Sequence, residues 1–310
     1  MSEGAVARAR MRVWGVRGTS PSPGAHTVQF GGHTPCIELR TADDDIIVLD
    51  AGSGLRGLGR ALSNAHDARP IHLFLSHRHS DHVIGLPHFA PLTEQSRDVV
   101  VACGNADANE LGPFLEALLS PPLFPPVAGI VSRLHARDWS TDDDVSVGRT
   151  MVRRLPARHP GAASIIAVQD DEGLILAYAP DNELSMASDD GTVIAWRDAL
   201  ATALRDVPVL IHDATYVTSE LTAHVGWGHS TAEEATRFAV HCNAGTLLLF
   251  HHHPDRTDEQ LTQIVLECRA LAASMGSALR VVAAAEGLTV DVRARDEHAR
   301  DAKLRNLSVV

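Results

Sequence analysis

Short apolar runs of strand length recur along the chain, each followed by a turn and often by a helical pattern. Residues 11–16, 36–39 and 46–49 read as strands, the last ending at Asp50-Ala51-Gly52. Helical spacing follows over 55–65, and 71–75 is a buried strand that runs straight into a histidine-rich turn. A short helix near 84–89, a strand at 99–102 and a helix over 109–119 come next. Four prolines within 120–126 stop that helix, because proline lacks the amide proton that a helix or central strand requires. Downstream, 146–155, 164–168 and 174–178 read as strands, 193–204 as a helix and 207–211 as a buried strand. Ser230-Thr231 caps a helix over 232–241, with Glu233 and Glu234 at the positive end of its dipole. A strand at 246–250 ends in histidines, 259–275 is a helix, and 279–283 with 288–292 is expected to form a closing strand pair.

No linker or shift in composition divides the 310 residues, so a single domain is expected, with 293–310 set apart as a charged tail. Strand blocks trailed by helices predict two packed sheets with helices outside. Of 27 basic residues only Lys303 is lysine, which removes the lysine needed for Schiff-base, Walker-type phosphate-loop or kinase chemistry. A net charge of -12 argues against a broad basic face on duplex DNA but leaves a small anionic substrate open. Cys36, Cys103, Cys242 and Cys268 form no paired pattern and read as reduced, buried thiols of a cytoplasmic protein. Residues 1–11 hold no apolar signal core, and no stretch reaches the roughly 18 apolar residues of a membrane span.

The densest chemistry is Ser76-His77-Arg78-His79-Ser80-Asp81-His82, directly after a buried strand. Alternation along an extended chain puts His77 and His79 on one side, while Asp81 and His82 come from the next turn. One metal could take the first pair and a neighbouring metal the second. Imidazole with carboxylate suits zinc first, then manganese or iron. A polar loop of ordinary surface histidines is the bland alternative, and it leaves so many metal-capable groups at one strand end unexplained.

His77-x-His79-x-Asp81-His82 resembles the signature of the metallo-β-lactamase superfamily. The resemblance runs from Gly15 to about Asp255 and includes the glycine-rich opening Gly15-Val16-Arg17-Gly18-Thr19-Ser20. It implies an α/β (α+β) fold, a four-layer αββα sandwich of two mixed sheets. It also implies two divalent metal ions held by His77, His79, Asp81, His82, His159, Asp181 and His251, with Asp181 as bridge and His252 as second choice for the last ligand. Asp50 resembles the turn acid that orients a ligand. His212-Asp213-Ala214-Thr215 and Gly228-His229-Ser230-Thr231 are similar to two loops of the RNase Z-like phosphodiesterase branch. In that branch the second-loop histidine faces the scissile phosphate and the first-loop acid orients it. The catalytic set implied here is therefore Asp81, His229 and Asp213, although Asp replaces the branch's Glu and shortens the reach.

The activity this implies is hydrolysis of a phosphodiester by a hydroxide shared between two metals. Residues 105–127, helical and then proline-rich, carry no arginine cluster like the basic arm with which a tRNA-processing enzyme grips its substrate. A small or cyclic nucleotide-like diester fits better, with no membrane or duplex DNA as partner. A homodimer is the base-rate expectation. Two other readings stay open: a metal-dependent lactone or thioester hydrolase, and a metal-binding scaffold without turnover.

Overall fold

Two β-sheets face one another across an apolar layer, and helices cover their outer faces. The computed structural model describes residues 7–63, 69–94, 96–104, 106–126, 129–140, 144–185, 191–293 and 303–305. The first sheet begins with β1 (Ala7–Gly15), β2 (Cys36–Thr41), β3 (Ile46–Leu49), β4 (Ile71–Leu75), β5 (Val99–Cys103) and β6 (Leu134–Arg137). The second holds β7 (Val145–Val147), β8 (Thr150–Pro156), β9 (Ser164–Asp170), β10 (Gly173–Ala179), β11 (Val209–Asp213), β12 (Thr246–Phe250) and β13 (Arg280–Ala283). The chain then returns to the first sheet with β14 (Thr289–Arg293) and β15 (Lys303–Arg305), giving the order β15-β14-β1-β2-β3-β4-β5-β6.

Alternation along each strand divides the core. In β3, Ile47 and Leu49 point between the sheets, while Ile46 and Val48 point to the helices outside. In β12, Leu248 and Phe250 face inward, and Leu247 and Leu249 face outward. Strands buried on both faces read as unbroken apolar runs, which is why these two were plain in the sequence. α1 (Leu55–Ser63), α2 (Ala90–Thr93) and α3 (Ala108–Leu118) cover the first sheet through Leu55, Leu58, Leu92 and Leu111. α4 (Gly191–Ala203), α5 (Ala232–His241) and α6 (Asp258–Ser274) cover the second through Leu200, Phe238, Leu261 and Cys268. The result is the expected αββα sandwich. All four cysteines are buried and unpaired, and no described helix is long and apolar enough to cross a membrane.

The structure corrects two expectations and adds one strand. The segment 146–155 is a hairpin, β7 and β8, reversed at Gly148 with φ +57. The added strand is β6, which the sequence pattern does not mark, since Leu134-His135-Ala136-Arg137 is half-exposed and carries little apolar signal. The closing strand pair does not form. β13 runs parallel to β12, whereas β14 lies antiparallel to β1, with Met11 opposite Val290. Between them the backbone crosses the edge of the sandwich: the Ala284 amide donates to the Leu249 carbonyl in one sheet, and the Gly287 amide donates to the Val13 carbonyl in the other. Hydrogen bonds already committed to two sheets cannot also close a hairpin.

Candidate metal centre

The carboxyl ends of β3, β4, β10, β11 and β12 converge on one rim; Asp213 is the last residue of β11, and the loops that follow the other strands carry Asp50, His77 to His82, Asp181 and His251. His159 arrives from the turn between β8 and β9. The donor atoms of His77, His79, His159 and Asp181 lie within 4.8 Å of one another, as do those of Asp81, His82 and His251. Asp181 stands between the two groups. Its Oδ2 is 3.7 Å from His77 Nε2 and 3.5 Å from His159 Nε2, while its Oδ1 is 3.1 Å from His82 Nε2 and 3.2 Å from His251 Nε2. His252 is turned away, bonded through Nε2 to the Ala284 carbonyl at 2.9 Å.

Each buried ring is held from behind by its other nitrogen. Nδ1 of His82 donates to Asp50 Oδ2 at 2.7 Å, and that of His159 donates to the Gly228 carbonyl at 2.9 Å. Nδ1 of His77 meets Ser76 Oγ at 3.0 Å, and that of His251 meets Thr215 Oγ1 at 3.0 Å. Because both hydroxyls are directed to carboxylates, Ser76 to Asp50 and Thr215 to Asp213, the rings are the donors. Four Nε2 lone pairs are thereby left aimed at the same space, the arrangement by which outer partners fix a metal-binding histidine.

That space suits cations. His77 Nε2, His82 Nε2 and Asp181 Oδ1 are buried with no hydrogen-bond partner, which is costly unless something else satisfies them. Burial by itself would favour the neutral carboxyls, yet the neighbouring histidines hold both Asp81 and Asp181 well below the ordinary carboxylate range. Burial likewise lowers His77 and His159, keeping their rings neutral. It would lower His82 too, but Asp181, Asp50 and Asp81 outweigh it and push that ring well up. Two ionised carboxylates among converging imidazoles form a donor set suited to divalent metal, which would displace the proton that the surrounding acids hold on His82.

His229 lies beside both groups and is partly exposed, with a ring nitrogen within 4.8 Å of donor atoms of Asp181 and His251. Its Nδ1 donates to Asp213 Oδ2 at 2.7 Å, and its ring stacks on His251 with centroids 5.0 Å apart. Fully buried Asp213 is fixed in turn by the Thr215 amide and hydroxyl on its Oδ1, at 2.9 and 2.8 Å. Burial pulls His229 down, but Asp213 overrides it and the pKa is pushed up to about 9. The shorter aspartate therefore still reaches the ring.

Several supporting residues had gone unassigned in the sequence. Ser76 and Thr215 sit inside the motifs without an evident role. Tyr178, whose hydroxyl donates to Asp50 at 2.8 Å, has no local signature at all. The glycine-rich opening acquires a physical reason: a Cβ on Gly18 would come within 2.3 Å of the His251 ring, and the adjacent Thr19 amide donates to Asp81 Oδ2 at 2.8 Å. Gly18→Ala is expected to displace His251 and weaken metal binding by about ten- to a hundredfold, the loss typical when a ligand's support is removed. Zinc titration of the variant by calorimetry would check this; unchanged affinity would mean the ring moves without cost.

A family model described as a beta-lactamase superfamily domain matches residues 46–252. An uncharacterised protein of Mycobacterium tuberculosis is 26% identical over 265 residues, covering 82% of this chain and 84% of that protein. A ribonuclease Z of Natronomonas pharaonis is 23% identical over 262 residues, covering 71% of this chain and 81% of that enzyme. The metallo-β-lactamase fold protein YhfI from Bacillus subtilis matches in structure with a TM-score of 0.65 at 17% identity, over 92% of this chain and 99% of that one.

Proposed function

The chain belongs to the beta-lactamase superfamily, and from that premise we propose that it is a dinuclear metal-dependent phosphodiesterase acting on a small or cyclic nucleotide-like phosphodiester. The observation that carries the reading is Asp181 presenting one oxygen to each of two ligand groups, with the His229–Asp213 pair beside them. In this reading His77, His79 and His159 hold one cation, Asp81, His82 and His251 hold the other, and Asp181 is shared. When bound, such cations, zinc first by donor type with manganese or iron as alternatives, supply a nucleophile from water near neutral pH and offset phosphoryl charge. The ribonuclease Z relative, named for cleaving RNA, supports a diester over an acyl substrate.

The remaining work falls to side chains. Asp213 fixes His229 through Nδ1, so the Nε2 proton is the one free to pass to the departing alkoxide oxygen. A protonated His229 also attracts an anion to the rim of an acidic protein. His79, the exposed member of the cluster, marks the side from which substrate enters. Buried thiols accord with work in the reducing cytoplasm. Zinc-loaded protein is expected to hydrolyse bis(p-nitrophenyl) phosphate and 3′,5′-cyclic AMP, and to lose both activities on chelation. If it opened lactones or thioesters and left every diester intact, the reading would be overturned.

A further inference from the structure

The loop that delivers His229 also displays an exposed tryptophan. Trp227 is 59% exposed, whereas Trp139 is buried and the indole N–H groups of Trp14 and Trp196 donate to Glu38 and to the Pro156 carbonyl. The backbone beneath Trp227 is fixed. Buried Glu183, two residues after Asp181, accepts the amide protons of Gly226 at 2.7 Å and Gly228 at 3.0 Å, one on each side of the indole. Both glycines sit at φ +85, a conformation that other residues adopt only with strain. A buried carboxylate and two left-handed glycines are thus committed to holding one apolar ring in solvent.

A run of rings joins it to the site. Tyr216 lies 6.1 Å from His229 between centroids, His224 stacks on Tyr216 at 4.1 Å and 17°, and Trp227 meets His224 edge-on at 5.0 Å. Aromatic residues make up only 4% of the chain, so this concentration on one rim is local. A diester whose phosphate rests against His229 would lay its next flat group along that shelf.

We propose that Trp227, backed by His224 and Tyr216, stacks on the base of a nucleotide diester, which makes a base-bearing phosphodiester the preferred substrate over an alkyl one. This rests on the phosphodiesterase reading above. A pre-fixed indole loses little freedom on binding, and every base offers it a π face.

The test uses the zinc-loaded full chain and two diesters, 3′,5′-cyclic AMP and glycerophosphocholine, which carries no ring. Trp227→Ala is expected to lower kcat/KM for cyclic AMP about ten- to a hundredfold more than for glycerophosphocholine, chiefly through KM, with Trp227→Phe restoring most of it. Equal losses on both diesters would overturn the proposal, as would an unchanged KM for cyclic AMP. A dimer that dissociates in sedimentation when Trp227 is replaced would also overturn it, by making the indole an interface residue. Quenching of tryptophan emission by adenosine 5′-monophosphate reads stacking without turnover. If no diester is cleaved but Trp227→Ala abolishes the quench, stacking stands and the phosphodiesterase reading falls. If diesters are cleaved and the quench persists in Trp227→Ala, stacking alone falls.

Discussion

Asp181→Asn is expected to lower bound metal from two equivalents per chain to one or none, and to cut phosphodiester turnover about a thousandfold or more. The size follows from what the carboxylate does in the proposed centre. Its two oxygens face different ligand groups at 3.1 to 3.7 Å, so removing its charge weakens both at once. Metal-borne stabilisation of a phosphoryl transition state is worth several kcal/mol, and each ~1.4 kcal/mol lost is a factor of ten. Asparagine keeps the volume and one carbonyl oxygen, so packing is conserved and the charge is what changes. Metal analysis after gentle purification reads the first effect. The rise in melting temperature on adding zinc reads the same weakened binding without any assay of turnover, because a ligand stabilises the fold by an amount that grows with the logarithm of its concentration over its Kd. Two retained equivalents with full turnover would mean that the oxygens of Asp181 merely neighbour the cluster.

How much of this was legible in the sequence depended on the range over which each feature is decided. β3, β4, β12 and α5 match their expected bounds, because a run buried on both faces or a Thr231 cap with Glu233 and Glu234 behind it is a local signal. β6 was invisible because it is half-exposed. The destination of β14 was unreadable because it is chosen by pairing with β1, far away in sequence, and not by its own residues. The site divides in the same way. Four potential ligands in six residues announce themselves, and the isolated His159, Asp181 and His251 became candidates only through the resemblance. The parts that aim those rings were hidden. Ser76, Thr215 and Tyr178 act through hydroxyls at distances set by the sandwich, and Glu183 acts on the backbone of a loop more than forty residues later.

His229→Ala is expected to lower kcat for cyclic AMP by about a hundred- to ten-thousandfold, the span typical of a lost general acid, while metal content stays at the wild-type value. Position alone allows either role, since a ring nitrogen of His229 lies within 4.8 Å of donor atoms of Asp181 and His251, and the proposed role rests on the proton it holds. With Nδ1 committed to Asp213, His229 has a single nitrogen left, and Asp213 raises its proton affinity, which suits a proton donor. The leaving group supplies the decisive comparison. A ribose alkoxide is a poor leaving group that needs its proton as the bond breaks, whereas p-nitrophenolate departs readily without one. The variant should therefore be far less impaired on bis(p-nitrophenyl) phosphate than on cyclic AMP. Asp213→Asn should follow the same pattern more weakly, because it leaves the ring in place but deprives it of its charged partner. Equal losses on both substrates would make His229 a phosphate contact and not an acid; loss of metal would make it a ligand. A selective loss on the alkoxide ester, with both metals retained, would tie the proton to the bond that breaks.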